Sequence, residues 1–444
     1  MRAVLLIVAA TALCTADMSS QRHAEVHMLT PQAAAPRRMT LATPAPTPLT
    51  PIPTPFTPIP TTATPSATPS ASPVPTTEAV TTHSQLAAAV ADPAHSIVVV
   101  EADVTFPFFS WIKIDSGRSV SVVGRSAVDG GRVVFDGDGH SQHFWVAGGT
   151  LQIAFVDLVN GTASMLDANC RPVLWECFGG SILVENGGTL VMRSCDINGG
   201  AQGSTYFGNA FQAGGVSVNG DDVRADFFNV SFIGLRATYA GALYAQGASG
   251  DEEHATTLRF FECRFLRNTA ALAAIGGVLM GWTGIQSEFY DTLFEANDGV
   301  ALVGWNNGDC KLVRCVFREN KGCGNTWPVY GSAVYFNSQG LVTITDSLFE
   351  RNIGDDSGTG AALTLEGVAH LSNVSFLENY AANSGGGAAL DVHSAAKVTA
   401  INCFALGNSG SSFGGTLHVL DSELTVINSE CQMIGGGEIT FYGG

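Results

Sequence analysis

Four short clusters hold the residue types that acid–base or metal chemistry needs. Asp221-Asp222 and Asp355-Asp356 pair carboxylates, and a carboxylate pair is what glycoside-cleaving enzymes use to protonate a leaving oxygen and activate water. Asp136-Gly-Asp-Gly-His140 sets two carboxylates where calcium could be ligated, and Asp251-Glu-Glu-His254 is a run of acids ending in an imidazole. Each has a plainer reading. Both Asp-Asp pairs sit in Gly-rich turns, where an Asp side chain bonds its own backbone. The Asp136–His140 stretch is a corner between strands, and the Asp251 loop is a solvated acidic turn. No metal site and no cofactor are expected, and the catalytic residues, if there are any, stay unassigned. The absence of any Cys-x-x-Cys pair argues against zinc.

A more specific feature pairs two indoles. In Gly281-Trp-Thr-Gly284 and Gly304-Trp-Asn-Asn307 each Trp stands 12 residues before a Phe of a recurring phrase, Phe294 and Phe317. If the phrases stack, Trp282 and Trp305 lie about 4.8 Å apart on neighbouring strands. Beside Asn306 and Asn307 they would form a platform for sugar rings. The competing reading is an aromatic ladder that closes a corner. Asn337 and His393 hold the same slot in later copies.

These residues must be positioned by a repeat. One phrase returns as Cys263-Arg-Phe265-Leu-Arg-Asn268, Thr292-Leu-Phe294-Glu-Ala-Asn297, Cys315-Val-Phe317-Arg-Glu-Asn320, Ser347-Leu-Phe349-Glu-Arg-Asn352 and Val374-Ser-Phe376-Leu-Glu-Asn379. A second phrase alternates with it: Gly276-Gly-Val-Leu279, Gly331-Ser-Ala-Val334, Gly360-Ala-Ala-Leu363, Gly386-Gly-Ala-Ala-Leu390 and Gly414-Gly-Thr-Leu417. The spacing between Phe positions varies from 23 to 32 residues while the phrase holds, so loops vary and strands do not. A period in that range announces a solenoid or propeller. Alternation of period two, as in Leu312-Val-Arg-Cys315-Val-Phe317, indicates strands with one buried face, and no copy holds a helical stripe.

Stacked copies predict columns. Phe232, Phe265, Phe294, Phe317, Phe349 and Phe376 form an aromatic stack inside the coil. On the opposite face Glu262, Asp291, Arg314 and Asp346 alternate in charge, as do Glu295, Arg318 and Glu350 one place after the Phe. Arg314 is expected to face Asp291 and Asp346, and Arg318 to face Glu295 and Glu350. The Asn column, Asn268 to Asn379, suits a sharp left-handed corner and an amide ladder.

The paired phrases resemble the repeats of chlamydial polymorphic outer membrane proteins (Pmp-like), set in a pectin-lyase-like right-handed parallel β-helix. The likeness runs from about Gly124 to the C-terminus, through degenerate copies such as Phe155-Val-Asp-Leu158-Val-Asn-Gly161 and Asn402-Cys-Phe-Ala-Leu-Gly-Asn408, whose Phe is one place early. The resemblance implies an all-β, single-stranded coil, surface display and adhesion. Only a last rung follows Asn428, with no translocator barrel, so the fold is expected to carry over and the secretion route not. Polygalacturonases of this fold class carry Asn-Thr-Asp, Asp-Asp, Gly-His-Gly and Arg-Ile-Lys in order, and only Asp-Asp occurs here.

In chain order, residues 1–16 read as a secretory signal peptide, with an apolar core too short to span a bilayer. Residues 17–82 read as a Pro/Thr-rich stalk, with 12 of the chain's 18 prolines between Pro44 and Pro75. Residues 83–444 read as the β-helix, of ten to thirteen rungs, opened by a short capping helix from Ser84 to Ala91. Beyond residue 82 the chain holds 17 basic and 36 acidic side chains, which disfavours nucleic acid and polyuronates as partners.

A secreted chain permits disulfides. Cys170 with Cys177 is the expected pair, and Cys310 with Cys323 is a second possibility. Cys195, Cys263, Cys315 and Cys403 share one slot but never on adjacent rungs, so they are expected as buried free thiols. Sequons stand at Asn160, Asn229 and Asn373. The expectation is a secreted or surface-displayed, non-catalytic glycoprotein. It would bind carbohydrate or a cell-surface or matrix component through a repetitive strand face. The alternative is a polysaccharide lyase or glycoside hydrolase of the same fold.

Overall fold

The computed structural model describes residues 80–442 except 129, 163–178, 200–212, 238, 248–253, 271–274, 282–283, 306–307, 323–332, 355–359, 361, 382–386, 411–415 and 433–438. The signal peptide, the stalk up to residue 79, the acids of Asp251-Glu-Glu, Trp282, Asn306, Asn307, Cys170, Cys177, Cys323 and the Asp355-Asp356 pair lie outside the described residues.

Each rung is three short strands, exemplified by Val278–Gly281, Ile285–Tyr290 and Leu293–Glu295. Among the described residues, strands pair in parallel with their counterparts one rung on, giving a right-handed β-helix whose main sheet has 32 strands. Four of these bend through a corner and serve two sheets, so three sheets of twelve strands line the coil. We call them the first, second and third sheets in the order just given. Twelve rungs fall within the expected range.

The columns stand in register. Phe265 pairs with Phe294 and Phe294 with Phe317. The six rings stack face to face with centroids 4.6–5.1 Å apart, from Phe232 to Phe376. The stack ends where Ala405 meets Phe376, because Phe404 is one place early. Inward residues of all three sheets form one continuous apolar core.

Two of the three corners of a repeat rung turn on a single left-handed residue. Between second and third sheets a single residue takes the left-handed conformation, as in Glu262, Asp291, Arg314, Asp346, Asn373 and Asn402, with φ between 51° and 56°. Its N–H still bonds the next rung, as Asp291 does to the Val313 carbonyl at 3.0 Å, so the corner costs conformational strain and no hydrogen bond. The second corner corrects the expectation for the Asn column. The left-handed residue is the one before each Asn, namely Arg267, Ala296, Glu319, Arg351 and Glu378. The Asn side chains instead point inward, fully buried, and form the amide ladder. Asn297 Nδ2 donates to Asn320 Oδ1 at 2.9 Å, Asn320 to Asn352 at 2.9 Å and Asn379 to Asn408 at 2.8 Å. A side chain that satisfies turning backbone must face it, which a left-handed Asn on this corner would not.

The charge columns pair in part. Arg314 grips Asp291 at 2.6 and 2.7 Å, but Asp346 accepts from the Asn373 amide instead. Arg318 reaches Glu350 at 2.9 Å and Glu295 at 3.5 Å. The capping helix is α1 (His83–Ala91); its N-cap is Thr82 rather than Ser84, and Leu86 and Val90 enter the core.

Cys195, Cys263 and Cys315 are buried free thiols, as expected. Cys403 departs from this: it is free but half-buried, near the thinning end of the core. Cys310 is also a free, buried thiol, which corrects its suggested pairing with Cys323. It faces into the coil from the second sheet. Burial pushes the thiols up, Cys195 to about 11 and Cys263, Cys310 and Cys315 to about 12.

Candidate functional site

The sequon residues divide by position. Asn229 and Asn373 stand exposed at the left-handed corner between second and third sheets, while Asn160 is half-buried and donates its amide to Asp136 at 3.0 Å. Asp136 Oδ1 also accepts from Asp138 N at 2.8 Å, which is turn chemistry. Asp222 is a left-handed turn residue, and its carboxylate meets His254 at 3.2 Å on an exposed edge. Among the described residues no group of three or more His, Cys, Asp or Glu is arranged to hold a metal ion.

The indole expectation needs correction. Trp305 is half-buried and outward on the first sheet, but the residue beneath it is Gly281 and the residue above it Asn337. Counting back 12 residues missed the register by one, because the two intervening loops differ in length.

Strand alternation turns two columns outward on the first sheet, because the first and third residues of each strand enter the core. In the column holding Trp305, Asn337 and Glu366 follow on successive rungs, and His393 meets Glu366 on the next. The other column begins with Lys113 and Trp145, passes through Tyr244, Leu279, Val303 and Tyr335, and continues through Thr364, Asp391 and His418 to Thr440. Its middle is a second apolar cluster outside the cylinder. Its two ends are chemically different.

At the N-terminal end aromatic rings reach solvent together. Phe108 is 63% exposed and Trp111 41%. Phe108 contacts Phe109 at 4.0 Å and His140 at 4.8 Å, and Trp111 meets Trp145 edge to face at 6.4 Å. Trp145 is held by its indole N–H donating to Glu185 at 2.9 Å, with Lys113 4.6 Å over its ring. Phe109 adopts a φ of 55°, where a bulky side chain is strained. Nothing in the repeat phrases pointed here, since Pro107-Phe-Phe-Ser-Trp111 precedes the regular copies; the signal was its local aromatic density.

At the C-terminal end acids and imidazoles meet. His418 Nδ1 lies 2.7 Å from Asp391 Oδ1, and His393 lies 3.2 Å from Glu366 and 3.7 Å from Asp391. Tyr335 OH and Asn337 Nδ2 donate to Glu366 at 3.1 and 2.9 Å. These residues were legible one and three places after the aliphatic residue of the second phrase, as in Leu390-Asp-Val-His393.

The second sheet carries an aromatic ladder four residues before the Phe column: Phe228, Phe261 and Tyr290, stacked at 5.0 and 5.1 Å. Arg193 covers the face of Phe228 at 4.0 Å, and Lys311 lies 5.4 Å over Tyr290. Ring faces are thus occupied by one another and by cations, leaving only edges outward. The ladder clads the coil and offers no flat face to a sugar.

No protein-family model matches the sequence, and no curated protein does. Among solved structures the chain is similar to PfbA, a surface adhesin of Streptococcus pneumoniae, with 9% identity and a TM-score of 0.31 over 78% of this chain and 86% of that one. It is also similar to a rhamnogalacturonan lyase, with 12% identity and a TM-score of 0.24 over 78% and 80%. A third is a siphovirus 9NA tailspike receptor binding domain, with 9% identity and a TM-score of 0.16 over 79% and 75%. Likeness this shallow carries nothing about either end of the first sheet.

Proposed function

We propose that the chain is a secreted or surface-displayed β-helix without catalytic function that binds glycan through the outward face of its first sheet. The observation that carries this reading is a run of exposed rings, Phe108 against His140 and Trp111 against the half-buried Trp145. A soluble protein rarely leaves so many large rings together in water unless something covers them. A pyranose has an apolar C–H face for the exposed rings of Phe108 and Trp111, and Lys113 and Glu185 beside Trp145 supply a donor and an acceptor for its hydroxyls. Sequons and an acidic body accord with an extracellular setting; among the described residues no helix is long and apolar enough to cross a membrane.

A glycan array probed with the protein, alongside an assay for released reducing or unsaturated ends, tests the reading. The expected result is binding without turnover, reduced at least tenfold in Trp111→Ala with Trp145→Ala. Array silence, or binding untouched by the double variant, refutes it. The lyase or hydrolase reading draws on the three carboxylate–imidazole contacts at the other end of the sheet, and turnover would put it first.

A further inference from the structure

Several outward carboxylates of the second and third sheets are matched by guanidinium groups on a nearby rung. Asp226 takes Arg259 at 2.7 and 2.8 Å, Asp291 takes Arg314, Glu350 takes Arg318, and Asp157 and Asp196 share Arg132. Glu288 breaks this pattern. It stands on the second sheet between Arg259 on the rung below and Lys311 on the rung above, yet among the described residues neither closes an ion pair with it. Arg259 is committed to Asp226, which is buried and costly to leave without a counter-charge. Lys311 leans away, over the ring of Tyr290.

At this break the outer face of the second sheet holds a groove of about 380 Å³, a volume within the range of ligand pockets. Its floor carries Arg259, Glu288, Lys311 and Thr343 on four successive rungs, with Thr257 and Gln286 in the column beside them. Asp309 and Leu341 complete the lining, Asp309 Oδ1 accepting from the Leu341 N–H at 2.8 Å. Four rungs at ~4.8 Å make the groove about 14 Å long, room for about three pyranose rings end to end. The side chains facing it are unspent. Among the described residues Thr257, Gln286, Glu288, Lys311 and Thr343 make no side-chain hydrogen bond or ion pair within the chain. Gln286 and Lys311 are exposed and the other three half-buried, so all five are within reach of a ligand.

The charges in the groove cancel, Arg259 and Lys311 against Glu288 and Asp309. A uronate chain would meet two carboxylates and an amino-sugar chain two cations, so neither is favoured. A neutral ligand whose groups both donate and accept fits better. Vicinal hydroxyls of a sugar do this: one donates to the Glu288 carboxylate while its neighbour accepts from the Lys311 ammonium on the next rung. The Gln286 amide and the Thr257 and Thr343 hydroxyls serve in either sense.

We propose that this groove is a second glycan-binding site, taking a neutral oligosaccharide that lies along the coil axis. It is separate from the aromatic group of the first sheet and works differently. Hydrogen bonds hold the ligand here, because the adjoining ladder of Phe228, Phe261 and Tyr290 presents only ring edges.

A glycan array bearing neutral, uronate and amino-sugar oligomers of increasing length tests this on the full chain. Trp111→Ala with Trp145→Ala removes the first-sheet contribution, and residual binding to neutral oligomers is expected, rising with length up to the trisaccharides. Adding Glu288→Ala and Lys311→Ala should lower that residual signal at least tenfold, and so should Thr343→Tyr, which fills the groove and leaves its charges in place. All three positions face outward without bonds to the rest of the chain, and an unchanged melting temperature verifies the fold. No residual binding to neutral oligomers, a residue of binding that survives the groove substitutions, or uronate oligomers or an acidic peptide bound as tightly would overturn the assignment. Binding that ignores the Trp substitutions and falls with the groove substitutions would refute the proposed first-sheet site and uphold this one.

Discussion

Replacing Asn320 by alanine isolates what the amide ladder contributes. The Asn320 side chain donates to the Phe294 carbonyl at 3.0 Å and to Asn352 Oδ1 at 2.9 Å. It accepts from the Asn297 backbone N–H at 3.1 Å and from Asn297 Nδ2 at 2.9 Å. All of these groups are out of reach of water, Asn297, Asn320 and Asn352 each being 0% exposed. At roughly 1 kcal/mol for each hydrogen bond, with a further penalty for donors left buried and unmatched, the loss comes to about 4 kcal/mol. The damage should be local first, since each rung contacts only its neighbours. Denaturant unfolding gives the total, and amide exchange followed by mass spectrometry gives the place, expected as lost protection from about residue 290 to 355. Asn320→Asp keeps an acceptor but removes the donor and buries a charge, so it should be no milder. A cost below about 1 kcal/mol for Asn320→Ala, or deprotection spread evenly over the coil, would refute the claim that buried amides hold the corner.

Three other outcomes follow from the same geometry. Phe294→Ala leaves a void between Phe265 and Phe317 and should cost about 3–5 kcal/mol in denaturant unfolding. Cys195, Cys263, Cys310 and Cys315 should resist a thiol reagent at neutral pH in the folded protein and react once it is denatured without reductant, because burial holds them at about 11 to 12. Burial lowers His143 to about 4, with its Nε2 on the Phe135 carbonyl at 2.9 Å. The unfolded chain therefore takes up a proton that the folded one refuses between pH 6.5 and 4, and stability should fall by about 3 kcal/mol over that window as pH drops. His143→Gln should flatten this part of a pH–stability profile.

The repeat phrases were legible because a strand that buries one face must alternate, and a coil that stacks identical slots must repeat them. That logic reached the Phe stack, the buried thiols at Cys195, Cys263 and Cys315, and the alternating charges. It failed at the partner of Trp305, which is Gly281, because loops between phrases change length and a count along the chain then slips by one. It failed at the Asn corner because side-chain type alone does not say whether an amide turns the chain or braces a neighbour that does. The acid–imidazole group went unseen for a different reason: Glu366, Asp391, His393 and His418 come from three rungs, and their common offset from the aliphatic residue of the second phrase does not say which of them meet.

By itself the order of residues determined a coil of parallel strands, its rung count within narrow bounds and the identity of its central column, since all of these follow from periodicity along the chain. Which outward residues meet was decided only by the winding. Trp145 lies on the rung above Lys113, and His418 on the rung above Asp391, because parallel pairing brings together residues 32 and 27 positions apart, and no local spacing encodes a distance set by the loops between them.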